Sequence, residues 1–172
     1  MINETLEVST IAKRHHEIHR GNFYSIGSII TIPSEDEINF IGRVKGKDMH
    51  LIPAIVVTSK EDVEIYAYEN FTADDSIAVE TAGVNHNRLC GNVSESRLLS
   101  NISVSDYGDL IYTDFIPGST GIGGTAAGGQ GKEVEEWILG KNTDTLFRMI
   151  NNSNDNNKCG LFFSWYDQDV EE

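Results

Sequence analysis

Short stretches in which apolar and polar residues alternate recur along the whole chain, and Gly, Asn, Asp and Ser separate them. In LFFSWYD, for example, Leu161, Phe163 and Trp165 fall on one face of an extended chain and the residues between them on the other. A period of two is typical of strands whose one face lies on a core. The pattern predicts ten strands, at residues 23–32, 38–44, 50–58, 64–68, 77–81, 96–104, 110–116, 136–139, 145–151 and 161–166.

Many short strands with polar turns favour an all-β fold, an antiparallel β-sandwich with jelly-roll-like topology. The 172 residues suit one domain. We predict a sandwich over 15–172 and an extended N-terminal arm over 1–14, although residues 2–14 could also form one or two helical turns. Residues 118–131, with seven glycines, predict a long flexible loop, and 151–157 a hairpin turn.

The charge balance narrows the possible partners. The chain has 27 acidic and 13 basic residues, a net charge of −14. Such a surface repels phosphate groups, so we expect it to bind neither nucleic acid nor membrane. Two cysteines are too few for a disulfide framework, and neither a signal peptide nor a membrane-spanning stretch is evident. These features predict synthesis in a reducing cytoplasm.

The stretch HHEIHRGNFY, beginning at residue 15, contains the densest basic patch of this acidic chain. His15 and His19 have the i, i+4 spacing that places two zinc ligands on one helix face. However, Gly21 and Asn22 would end a helix there, and no third ligand is evident. The H-E-x-H sequence is also one residue shorter than a zincin motif. We therefore favour a partner-contact role over metal binding for Lys13, Arg14, His15, His16, His19 and Arg20.

Motifs for catalysis and cofactor binding are incomplete. Gly131 and Lys132 resemble the end of a phosphate-binding loop, but Glu133 stands where Ser or Thr is required. Ser119 lacks the G-x-S-x-G setting of a hydrolase nucleophile, and the many carboxylates are expected to be solvated surface. We predict no catalytic residue, no cofactor and no metal, hence no enzyme.

Two weaker alternatives stay open. Asp74–Asp75 and residues 167–169 could hold Ca²⁺ on loops, although they lack EF-hand spacing. Aromatic side chains could form a sugar-stacking platform, although alternation along strands favours the core. These aromatic residues are Tyr66, Tyr68, Trp137, Trp165 and Tyr166.

Four stretches occur in a familiar order: HHEIHRGNFY, then IYAYEN with GVNHNRL, then EEWILGKNTDTLFRMINNS, and finally GLFFSWYD. This order resembles a family of small virion proteins of tailed bacteriophages that are associated with the head. The resemblance spans residues 15–167. The glycine-rich stretch 118–131 and the WYDQDVEE ending depart from that family's pattern.

The resemblance implies a capsid decoration (cement) protein on the outer surface of the phage head, assembled in the host cytoplasm. Its partner would be the major capsid protein of the same virion. A homo-oligomer, with a trimer as the expected form, would engage several equivalent sites at once. The alternatives are a head-fibre or neck component, and a glycan-binding module for host attachment.

Overall fold

Alternating apolar side chains fold this chain into two antiparallel sheets packed face to face. The computed structural model describes residues 14–51, 56–118, 126–128 and 136–168. Within these residues the one helix is α1, residues 14–20. The strands are β1 (Phe23–Ile32), β2 (Asp36–Arg43), β3 (Asp48–Leu51), β4 (Val56–Ser59), β5 (Val63–Glu69), β6 (Thr72–Asp74), β7 (Val79–Ala82), β8 (Val84–Asn85), β9 (Arg97–Ser100), β10 (Ser103–Asp106), β11 (Asp109–Ile116), β12 (Ala126–Gly128), β13 (Trp137–Leu139), β14 (Asp144–Asn151) and β15 (Asn157–Gln168).

Strand β15 organises the first sheet. Along one edge it pairs with the whole of β1, and along the other it pairs first with β4 and then with β3. Strands β8, β12 and β13 extend this sheet. The second sheet has the order β11-β5-β14-β2-β9-β7. Strands β6 and β10 form a separate two-stranded ribbon.

The core lies between the two sheets. From β15, Leu161, Phe163 and Trp165 all point into it, as the alternation predicts. The second sheet contributes Phe147 and Met149 of β14, and the ring centroids of Phe147 and Phe163 lie 5.4 Å apart. Burying each such side chain contributes about 1.5–3 kcal/mol, so this layer supplies much of the driving force for folding.

Two buried asparagines fix the corner between the sheets. Residues 152–156 join β14 of the second sheet to β15 of the first, so the predicted hairpin at 151–157 is wrong. The Asn151 side-chain amide donates to the carbonyls of Ile32, Pro33 and Asp155 at 3.2, 2.8 and 2.8 Å. The Asn157 Oδ1 accepts from the Ser59 hydroxyl at 3.0 Å. These bonds satisfy backbone groups where the chain leaves one sheet for the other.

The structure confirms the antiparallel β-sandwich, whereas the jelly-roll topology stays a prediction. The predicted strands at 50–58 and 96–104 are each two strands. The predicted glycine-rich loop is wrong in part, because Ala126–Gly128 forms β12 and pairs with β4. The predicted arm lies outside the described residues except for Arg14, which begins α1. No helix of the described chain has the length and apolar character needed to cross a membrane.

Candidate docking surface

Helix α1 is held against the body of the protein by its inner face. Ile18 packs on Phe23 and Tyr166, two side chains that are fully buried. Glu17 is also buried, and its Oε2 accepts a hydrogen bond from the Asn22 side chain at 3.3 Å. A short helix has little stability of its own, so this packing is what keeps α1 formed.

Gly21 ends α1, as the sequence indicates. Its φ of +76° lies in the left-handed region that favours glycine at a helix end. A Cβ atom here would lie 2.4 Å from the Cys90 Sγ, so only glycine allows the loop that contains Cys90 to approach. Residues 14–20 complete nearly two turns before the glycine, so His15 and His19 do lie on one helix.

Three asparagine side chains tie the loop 85–93 to the end of α1. The amide nitrogens of Asn87, Asn85 and Asn92 donate to the carbonyls of His19, Gly21 and Arg20 at 3.0, 2.8 and 3.5 Å. The last carbonyls of a helix have no partner within it, and here the loop supplies the donors. Helix and loop therefore form one continuous surface.

The predicted contact residues lie together on α1. His15, His16, His19 and Arg20 are exposed. Arg14 is half-buried, with its guanidinium 4.9 Å from the centroid of the Phe23 ring. Lys13 lies outside the described residues. The structure thus brings five of the six predicted residues to one surface.

The loop adds residues that the sequence analysis missed. Arg88 is exposed, Leu89 is fully exposed, and Val93 is 70% exposed. Single exposed apolar side chains are common on protein surfaces, so Leu89 and Val93 gain interest only from their position beside the arginines. We call the set Arg14, His15, His16, His19, Arg20, Arg88, Leu89 and Val93 the basic face.

The basic face differs in charge from the rest of the molecule. Residues 14–22 and 84–93 contain three arginines and one acidic residue, Glu17, in a chain of net charge −14. Glu17 is buried, and its Oε1 lies 3.6 Å from an Arg20 nitrogen. An acidic neighbour would therefore meet attraction here and repulsion over much of the remaining surface.

A second polar cluster joins β3, β13 and β15. The His50 Nδ1 lies 2.6 Å from the Glu136 Oε1, and the Tyr166 hydroxyl donates to the same oxygen. The His50 and Tyr166 rings stack with centroids 4.6 Å apart. Burial and the bond to Glu136 raise the pKa of Tyr166. These contacts hold Glu136, the residue before β13, against β15, which is a structural role.

A buried carboxylate lies below the basic face. Asp167 is 8% exposed, and its Oδ1 accepts from the Trp165 indole nitrogen at 3.1 Å. Burial raises the pKa of Asp167 to about 6, although hydrogen bonds from Ser94 and Trp165 and the charge of Lys47 oppose the shift. The Trp165 side chain therefore has a hydrogen-bond partner, Asp167, that is both buried and ionisable.

The geometry gives little support to the two weaker alternatives, calcium binding and sugar stacking. Asp75 is held by the Arg43 guanidinium at 2.8 Å, so it already has a cationic partner. Of the five aromatic residues considered for sugar stacking, Tyr68, Trp165 and Tyr166 are buried. Trp137 is half-buried and packs edge-on against Tyr112 at 4.9 Å. In the described part of the chain, no group of three or more His, Cys, Asp or Glu side chains is placed to hold a metal ion.

No protein-family model matches the chain, and no curated protein matches it significantly. Among the described residues, the basic face is the feature from which we propose a function below.

Proposed function

We propose that this protein is a structural protein of a tailed-phage virion, a capsid decoration protein that binds the assembled head through its basic face. The observation that carries the proposal is the basic face itself, which groups arginines and exposed apolar side chains at one place on an acidic sandwich. The order of sequence motifs from residue 15 to 167 supports the same assignment. The partner is the major capsid protein.

Electrostatics and apolar burial act together in such a contact. The arginines steer the protein toward an acidic capsid surface and set its orientation. Leu89 and Val93 bury apolar area once contact is made, at about 25 cal/mol per Å². A protein that binds the assembled shell and not free subunits stabilises the shell by mass action.

Symmetry strengthens the proposed attachment. A homo-oligomer, with a trimer as the simplest form for a threefold position, presents several basic faces to equivalent capsid sites. The second and third contacts then form at high effective concentration, so individually weak contacts release slowly. The acidic remainder of each chain faces the solvent on the outer surface of the head.

The test uses capsids that lack this protein, from the phage whose genome encodes it, and measures how tightly the purified chain binds to them. The triple variant Arg14→Glu, Arg20→Glu and Arg88→Glu reverses the charge of the basic face. We expect it to bind at least tenfold more weakly, because exposed charge pairs each contribute about 0.2–1 kcal/mol and reversal adds repulsion.

A matched control separates this surface from net charge. Lys60→Glu, Lys141→Glu and Lys158→Glu change the net charge by the same amount at exposed positions outside the basic face. The control variant should bind within about threefold of the unmodified chain, a change of roughly 0.6 kcal/mol or less. Equal loss in both variants, or no loss in the first, would contradict the proposal. The change Leu89→Ser tests the apolar part separately.

A further inference from the structure

The side chains of His15 and His19 meet on the outer face of α1. Their Nε2 atoms lie 3.1 Å apart, and the two rings meet edge-on with centroids 4.5 Å apart. Both residues are exposed. At this distance a hydrogen bond joins the two Nε2 atoms, and the tautomers of the rings decide which one donates. Both Nε2 atoms therefore face the same small region of space.

That separation equals the distance between two adjacent nitrogen ligands of one metal ion. With metal–nitrogen bonds of about 2.1 Å, two atoms 3.1 Å apart subtend roughly 95° at the ion. The value lies between the right angle of octahedral or square-planar coordination and the wider angle of a tetrahedron. The separation of the two Nε2 atoms therefore fits one ion that is bound to both of them.

Contacts with the rest of the protein hold helix α1 in place without a metal ion. Ile18 and Glu17 fix its inner face, and the Asn87 amide holds the His19 carbonyl at 3.0 Å. The two neighbouring arginines have other partners, since Arg14 lies over Phe23 and Arg20 is near Glu17. The fold thus sets the separation of His15 and His19 along the helix, which lowers the entropic cost of binding one ion with both.

We propose that His15 and His19 form a two-histidine site for a divalent transition metal of the kind that prefers imidazole, such as Zn²⁺, Ni²⁺ or Cu²⁺. The two Nε2 atoms are the protein ligands, and water completes the coordination. On binding, the ring that carries its hydrogen on Nε2 adopts the tautomer with the hydrogen on Nδ1, so both imidazoles coordinate as neutral ligands. The proposal departs from the sequence-based prediction of no metal, because residues 14–20 form a helix that places His15 and His19 on one face. It does not rest on the proposed function, because it concerns the isolated chain.

The test is isothermal titration of the untagged, full-length protein with NiCl₂ and, separately, ZnCl₂ at neutral pH. We expect one saturable ion per chain. His15→Ala and His19→Ala should each weaken binding at least tenfold, because one imidazole alone binds these ions poorly. Mg²⁺ should neither bind this site nor compete for it, since Mg²⁺ prefers oxygen ligands.

His16→Ala is the matched control, because it removes an adjacent exposed histidine that does not meet the pair. Its binding should stay within about twofold of that of the unmodified chain. Circular dichroism of each variant shows whether α1 and the sandwich are intact. The inference is overturned if no saturable binding occurs, if binding survives in His15→Ala or His19→Ala, or if His16→Ala loses as much as they do.

Discussion

The buried carboxylate of Asp167 should make the protein less stable as the pH rises from about 4 to about 6. Burial raises the pKa of this group to about 6, above its ordinary value of 3.8. The folded state therefore binds more protons than the unfolded state within that window. The free energy of unfolding then falls as the pH rises, and the cost is fully present above about pH 6.

The substitution Asp167→Asn removes the charge and keeps an oxygen that can accept from the Trp165 indole. A shift from 3.8 to about 6 corresponds to roughly 3 kcal/mol at neutral pH, an upper value because the group retains some access to water. At about 2–4 °C per kcal/mol for a chain of this size, we expect the variant to melt up to about 12 °C higher at pH 7.5. The difference should shrink toward zero at pH 4.

Differential scanning calorimetry at intervals between pH 4 and 7.5 measures both proteins under the same conditions. Asp36→Asn is the control, because this exposed position undergoes the same change of charge. Comparing variants removes the effect of pH on the other acidic residues. A melting temperature that is lower for Asp167→Asn at pH 7.5, or a difference that does not depend on pH, would refute the reasoning.

Two further substitutions test the contacts around α1 and β13. Gly21→Ala should lower the free energy of unfolding by about 1–3 kcal/mol in urea titrations, because it adds a Cβ at positive φ against Cys90. Gly91→Ala, with open space around it, is the control, and equal effects would count against this explanation. Tyr166→Phe removes the hydroxyl that donates to Glu136 and should cost about 1.5–3 kcal/mol in the same assay. An unchanged unfolding midpoint would show that this bond contributes nothing.

The sequence predicts the core better than the arrangement of the sheets. Leu161, Phe163 and Trp165 are buried as the period of two requires, because that period depends only on local geometry. The chain's passage between sheets after Asn151 depends on bonds to Ile32 and Pro33, more than a hundred residues earlier. The alternation of apolar and polar residues within a short stretch gives no information about contacts between residues so far apart.

Some features of the candidate docking surface could also be predicted from the sequence, and others could not. The basic residues of α1 are visible in the sequence as a cluster, so their position close together could be predicted. The helix that presents them could not, since packing of Ile18 and bonds from Asn87 and Asn92 hold it. Leu89 was missed because an apolar residue in a polar stretch gives no signal that it is exposed. The pair of His50 and Glu136 was missed because 86 residues separate its members.

The central claim is that the protein is attached to the phage head in many copies. Quantitative mass spectrometry of purified virions tests it most directly, by measuring the copy number relative to the major capsid protein. We expect its copy number to be a simple fraction of that of the major capsid protein, because a decoration protein would occupy equivalent sites over the shell. A handful of copies per particle would indicate a fibre or neck component, and absence from the virion would contradict the account altogether.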